Sequence, residues 1–218
     1  MADDPAFSLD KYVVERDRIL TVHLNLDFKD EKGNIMLQTK SKLMVTQQNL
    51  QTPDGHVLCA VTHKMLSLMP TYQIHDGGVD GPVSAIVKEN FTINPMLNSI
   101  NIEDGSGNII AVANGNIFGF EFTVSTPDGT NVATITRKFS FANFKDMIDM
   151  AKNPYMITIS NRSIPMNALF GFFIVIELLA AKSNQGGINM GGFGMGPGFG
   201  APGGMVGGGF HGGGGGHR

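Results

Sequence analysis

Hydrophobic and polar side chains alternate along several stretches of the chain. Val22, Leu24, Leu26 and Phe28 are interleaved with His23, Asn25 and Asp27. Phe118, Phe120, Phe122 and Val124 alternate with Gly119, Glu121 and Thr123, and Tyr155, Ile157 and Ile159 with Met156 and Thr158. A period of two predicts strands with one buried and one wet face. Turns of one chemistry separate such runs: Asp30-Glu31-Lys32-Gly33-Asn34, Pro53-Asp54-Gly55-His56, Asp76-Gly77-Gly78, Asp104-Gly105-Ser106-Gly107-Asn108 and Pro127-Asp128-Gly129-Thr130. Gly supplies the positive φ of a hairpin turn, and Asp bonds back to its own backbone. Successive aspartates lie 24, 22, 28 and 24 residues apart. The chain is therefore a repeat, each unit reading as a hairpin followed by a short return strand. Counted along the chain, these patterns predict about twelve strands. The one helical pattern before residue 160 is Phe144–Ala151, FKDMIDMA, a short crossover.

Twelve meandering antiparallel strands with one apolar face leave exposed edges, and closure into a barrel removes them. Roughly eight strands make a barrel whose own side chains fill it. About twelve enclose water, a ligand or a plug. Residues 166–183, MNALFGFFIVIELLAAKS, have the character of a plug. Glu177 is the only charge between Ala168 and Ala181, and Asn167, Glu177 and Lys182 share no helical face. A helix apolar on every side is either a core helix or a membrane span. Ala168–Ala181 covers about 21 Å, short of a hydrocarbon core of about 30 Å. A charge within the span adds a cost of a few kcal/mol. The expectation is a buried central helix over about 165–183, packed through Leu169, Phe170, Phe172, Phe173, Ile174, Ile176 and Leu178. Gly171 would admit a close strand, and Glu177 would sit near the barrel mouth or find a partner.

Composition divides the chain. Of 29 glycines, 18 lie in the last 33 residues. The tail 185–218 buries too little to offset its ordering entropy and is expected to be disordered. It is read as a flexible linker, with Phe193, Phe199 and Phe210 as weak stickers in the alternative reading. Residues 1–8 are expected to be a short flexible N-terminus and 9–184 the barrel domain. The net charge of −3 and the lack of Arg-Gly-Gly repeats argue against nucleic acid. The single cysteine, Cys59, excludes an intrachain disulfide and reads as a small core residue in a reducing compartment. The charged N-terminus MADDPAFSLDKYVVERDRIL has no apolar core of a signal peptide, so a cytoplasmic location, with peripheral membrane contact, is expected.

The strings KSKLMV and HKMLSLMPTYQIHDG, the repeated turns and the hydrophobic helix placed last resemble the LURP-one-related family. That family belongs to the tubby C-terminal-like superfamily, with the phospholipid scramblases as distant relatives. The passage from Lys64 to Ile74, followed by Asp76-Gly77-Gly78, carries most of the likeness, which covers about residues 9–184. The resemblance implies a mainly β, tubby-like barrel of twelve antiparallel strands enclosing a C-terminal helix. It also implies no catalytic motif and no cofactor. Plant members are associated with defence responses, and tubby relatives bind phosphoinositides. The chain departs from the scramblases: it lacks their cysteine-rich segment, and Ser160-Asn161-Arg162-Ser163-Ile164-Pro165 replaces their acidic calcium-binding stretch. Tubby lipid sites place a Lys and an Arg two apart on a strand. The nearest equivalent is Lys40-Ser41-Lys42, without the bidentate contacts of Arg.

No acyl-transfer elbow, paired Cys-x-x-Cys or phosphate loop is present, so no catalytic residue is assigned and the protein is read as non-enzymatic. His63 and His75 flank one hairpin-like stretch near Asp76, but exposed strand residues are the better reading. Asp104–Asn108 lacks the glutamate of a calcium loop, and no metal site is assigned. Lys40, Lys42, Lys64, Lys88, Arg137 and Lys138 recur at related repeat positions. They are the candidate site for anionic phospholipid, each cation near a charged surface contributing about 1 kcal/mol. The competing reading is a solubilising strand face. The function expected is an intracellular binding module for anionic lipid or a protein partner. The alternatives are a scramblase-like protein anchored by the last helix, or an assembly protein acting through its tail.

Overall fold

The period-two runs become strands whose burial alternates in step. Tyr155, Ile157 and Ile159 are buried while Met156 and Thr158 between them are not. In the computed structural model the described residues are 4–16, 25–41, 47–64, 71–90, 98–116, 121–137 and 154–185, all within the unit Met1–Gly186. A 3-10 turn (Pro5–Phe7) leads into twelve strands: β1 (Lys11–Arg16), β2 (Leu26–Lys29), β3 (Ile35–Ser41), β4 (Gln47–Gln51), β5 (Val57–Lys64), β6 (Thr71–Asp76), β7 (Val83–Asn90), β8 (Asn98–Asp104), β9 (Ile109–Asn116), β10 (Glu121–Ser125), β11 (Asn131–Arg137) and β12 (Tyr155–Ile159). Helix α1 (Met166–Gln185) follows. Every strand pairs antiparallel with its neighbours in sequence, and β1 also pairs with β12, Tyr12 opposite Ile157, which closes the barrel. Closure satisfies both edges that an open sheet would leave to solvent.

All five turns bend on a glycine as their chemistry predicts. Each contains one glycine at positive φ: Gly33, Gly55, Gly77, Gly107 and Gly129. Four of them come in two kinds, and in the fifth Asp76 accepts from Asn167 of the C-terminal helix instead. Asp30 Oδ1 accepts from the Lys32 and Asn34 amides, and Asp104 Oδ1 does the same from Ser106 and Asn108. Thr52 donates its hydroxyl to Asp54, and Thr126 to Asp128. These equivalents stand at a constant offset of 74 residues. The β-bulges follow the same offset, at Phe28/Lys29 and Ile102/Glu103, and at Leu50/Gln51 and Val124/Ser125. Strands β2–β5 and β8–β11 are thus two copies of one four-stranded unit, inward position matching inward position. Each copy is two hairpins, without the extra return strand expected after each hairpin.

Helix α1 fills the barrel. Phe170 meets Phe7, Tyr12 and Phe28 at ring-centre distances of 5.1, 4.9 and 5.4 Å. Phe173 meets Phe28 and Tyr155, and Phe172 meets Phe122. Leu169, Phe170, Phe172, Phe173, Ile174, Ile176 and Leu178 are all buried. Edge-on aromatic contacts of this kind add to what area burial supplies. At Gly171 a Cβ would stand 2.6 Å from Ile74 Cδ1, so β6 approaches the helix where it has no side chain. Among the described residues no helix is long and apolar enough to cross a membrane. The expected crossover helix Phe144–Ala151, the strand residues Val22, Leu24, Phe118 and Phe120, and the tail from 186 lie outside the described residues.

Candidate functional site

The up-and-down order gives the barrel two chemically different ends. All five Asp/Gly turns lie at one end, with the start of β1, the end of β12 and the start of α1. This turn end carries Asp30, Glu31, Asp54, Asp80, Asp104 and Asp128, of which Glu31, Asp54, Asp80 and Asp128 are exposed. Hydrogen bonds from the turns hold the Asp30, Asp54, Asp104 and Asp128 carboxyls below their ordinary range, the Asn34, Thr52, Asn108 and Thr126 side chains contributing most. The opposite end is formed by the last residues of the odd strands and the first of the even ones. Four cations stand there: Arg16 ends β1, Lys40 is the penultimate residue of β3, Lys64 ends β5 and Arg137 ends β11. Glu15 and Glu121 lie at the same end, while Lys11, Lys29, Lys32 and Arg162 lie among the carboxylates of the turn end. Lys40 and Lys64 are exposed, and neither forms an ion pair with another described residue.

Inside this second end the wall changes from apolar to polar. Tyr12 and Val14 of β1 face inward, and parity puts Arg16 on the same face. Ile135 and Arg137 share the inner face of β11. Arg16 donates through Nη2 to Oε2 of Glu177, which is fully buried on α1. The Arg137 guanidinium carbon lies 4.6 Å from the centre of the Tyr155 ring, and Nη2 donates to the Tyr155 hydroxyl over 2.9 Å. Burial opposes the charge of Arg16, but the charge and hydrogen bond of Glu177, with Tyr155, more than restore it and raise its pKa. Burial lowers the pKa of Arg137, with Arg16 acting in the same direction against Tyr155 and Glu177. Burial, then the Glu177 carboxylate, pushes the Tyr155 phenol up, so it stays a neutral donor and acceptor. Among the described residues, Arg16 Nε and Glu177 Oε1 are buried without a hydrogen-bond partner.

The internal duplication puts His63 at the position in β5 that Arg137 holds in β11. His63 contacts Tyr72 with ring centres 4.9 Å apart, and Tyr72 and Tyr155 are the cross-strand partners of His63 and Arg137. The mouth therefore repeats one arrangement, a basic side chain on an inward tyrosine, and α1 breaks the symmetry by presenting Glu177.

The structure separates the six expected cations into groups. Lys40 and Lys64 stand exposed at the rim. Lys88 lies on the outer wall, its ammonium 2.6 Å from Glu103 Oε2. Arg137 is buried inside the mouth. Lys42 and Lys138 lie outside the described residues. His63 and His75 do not assemble with Asp76: His63 is inside, His75 sits between the Thr62 hydroxyl and the Gly81 carbonyl, and Asp76 accepts from Asn167 of α1. Cys59 is buried, and burial pushes its thiol up to about 12. Among the described residues no cluster of three metal-ligating groups occurs. A cavity of about 550 Å³ at the turn end, beside the start of α1, is lined by Asp76, Ser84, Arg162 and Asn167 over apolar Leu58 and Ile164. Arg162 spends its donors on the carbonyls of Phe7, Ser8 and Leu9 and on Asp10, binding the N-terminal segment to the barrel.

Arg16 and Tyr155 escape a search for recurrent cations. Arg16 follows no Asp/Gly turn, and Tyr155 reads as one more apolar position. The available signal is parity: Tyr12, Val14 and Arg16 have one period, so an inward strand face ends in a charge.

A family model described as LURP-one-related matches residues 11–177. A crystal structure of a protein from Arabidopsis thaliana superposes with a TM-score of 0.53 at 13% identity, covering 80% of this chain and 90% of that one. At that identity the likeness is one of fold. No curated protein matches the chain by sequence.

Proposed function

The chain belongs to the LURP-one-related family, and on that premise we propose that it is a non-enzymatic intracellular binding module whose cationic barrel end engages anionic membrane lipid. The observation that supports this reading most is the axial asymmetry of net charge. Acidic turns crowd one end, while Lys40, Lys64, Arg16 and Arg137 converge on the other. Such a distribution orients a protein in the field of a negative surface, cationic end first. A phosphatidylserine-bearing leaflet attracts each nearby Lys or Arg by about 1 kcal/mol, within a Debye length of about 8 Å at physiological salt. Attachment would be peripheral and reversible, with α1 remaining in the barrel.

The test is flotation of the full chain with neutral, phosphatidylserine and phosphoinositide vesicles at low and physiological salt. The expected result is recovery with anionic vesicles alone, reduced by salt and by Lys40→Glu with Lys64→Glu. Binding indifferent to both substitutions, or none to any vesicle, contradicts the proposal.

A further inference from the structure

The exposed lysines account for attraction to a charged surface, but not for two guanidinium groups held inside the same mouth. Arg16 lies close enough to Arg137 to act on its charge. Both face the single carboxylate of Glu177, which Arg16 engages through one nitrogen, Nη2. Arg16 Nε is buried with no partner among the described residues, although it is one of the five donors of a fork suited to paired oxygens. The Arg16 side chain is 25% exposed overall, while its Nε is covered. A buried donor left unsatisfied, beside a second like charge, is costly unless something supplies acceptors and negative charge.

We propose that the mouth binds a terminal phosphate, a phosphate monoester whose oxygens accept from Arg16. Arg137 supplies a second positive charge, and Glu177 acts as the internal counter-ion that holds the fork while the site is empty. The inference rests on the reading that this barrel end is the binding face, and it names the chemistry read there. Access selects the monoester. Arg16 is one quarter exposed and Arg137 is buried, so a narrow terminal group suits the approach to Arg16 better than a diester, which carries a substituent on each side of its phosphorus. A monoester also brings more charge and a third terminal oxygen. The same chemistry is offered by a soluble phosphate ester and by a lipid such as phosphatidic acid.

Two arms separate these sources, both with the full chain. Thermal unfolding is followed against rising glycerol 3-phosphate and inorganic phosphate, with sulfate-free chloride at matched ionic strength as control. Flotation compares phosphatidic acid with phosphatidylserine vesicles. The proposal expects Tm to rise with glycerol 3-phosphate beyond the salt control, since a ligand that binds only the folded state stabilises it. Glu177→Gln keeps the shape and removes the competing charge, so the half-saturating concentration should fall about threefold or more. Arg16→Lys keeps the charge and loses the fork, so that concentration should rise about tenfold. A purely structural Arg16–Glu177 pair moves stability in both variants but gives no opposite shifts in ligand response.

No response of the wild-type chain to either soluble phosphate and no preference for phosphatidic acid would overturn the inference. So would vesicle binding lost in Lys40→Glu with Lys64→Glu yet unchanged in Arg16→Lys and Glu177→Gln, a result that leaves the surface reading standing. Soluble binding with the opposite shifts, but no flotation, would support the phosphate site and assign it to a soluble ester, overturning the membrane reading alone.

Discussion

Asp54 and Asp128 show how single residues carry the repeat. Each carboxylate takes the hydroxyl of a threonine two positions earlier, while the following glycine turns the chain at positive φ. The same bonds lower both pKa values relative to an unfolded chain. A depressed pKa contributes stability that is complete above the unfolded carboxylate value and is lost as pH falls through the folded one. The double substitution Asp54→Asn with Asp128→Asn should therefore flatten the acid limb of Tm between about pH 2 and pH 5. An unchanged limb would show that these turns do not couple to acid unfolding. Arg16 and Glu177 follow the logic of a buried pair. Arg16→Met removes the ion-pair partner of the buried Glu177 carboxylate and should cost about 3 kcal/mol. Adding Glu177→Gln should recover most of that loss. Denaturant unfolding of the three proteins checks it, and equal loss in single and double variants would contradict the pairing.

The strands and the helix were legible in the sequence for different reasons. Period-two runs such as Tyr155–Ile159 announce strands because one face meets α1 and the other meets water. The helix announces itself by being apolar on every side and too short to span a bilayer. Its end at Gln185, two residues beyond the expected boundary, was not legible, because nothing in AAKSNQ stops a helix sharply. Nor was the inward aim of Arg137, since recurrence along the sequence identifies a basic position without saying which face bears it. Only the cross-strand register with Tyr155 does that. The fit of the helix to the barrel is tested at two positions. Gly171→Ala drives a Cβ into buried Ile74 and should cost about 1–3 kcal/mol. Phe170→Ala removes contacts with three rings and should cost about 3–5 kcal/mol. Urea unfolding measures both. A Gly171→Ala protein as stable as wild type would mean that β6 and α1 do not meet so closely.

Across the whole molecule, one four-stranded unit used twice builds a barrel that α1 fills from inside. The duplication places turns and bulges in pairs, and carboxylates outnumber cations at the turn end, whereas Arg16, Lys40, Lys64 and Arg137 stand at the opposite mouth. That polarity is the central claim, because both the membrane reading and the phosphate site depend on which end faces the ligand. Buried Cys59 leaves the surface open to site-specific thiol labelling. The most direct measurement attaches an environment-sensitive fluorophore to Glu121→Cys, at the exposed start of β10 in the cationic end, and separately to Lys32→Cys in the turn between β2 and β3. Vesicles of phosphatidylserine with phosphatidic acid are then added at low salt. The account predicts a blue shift and protection from aqueous quencher for the probe at residue 121, and none for the probe at residue 32. Protection at residue 32, or equal protection at both, would contradict it.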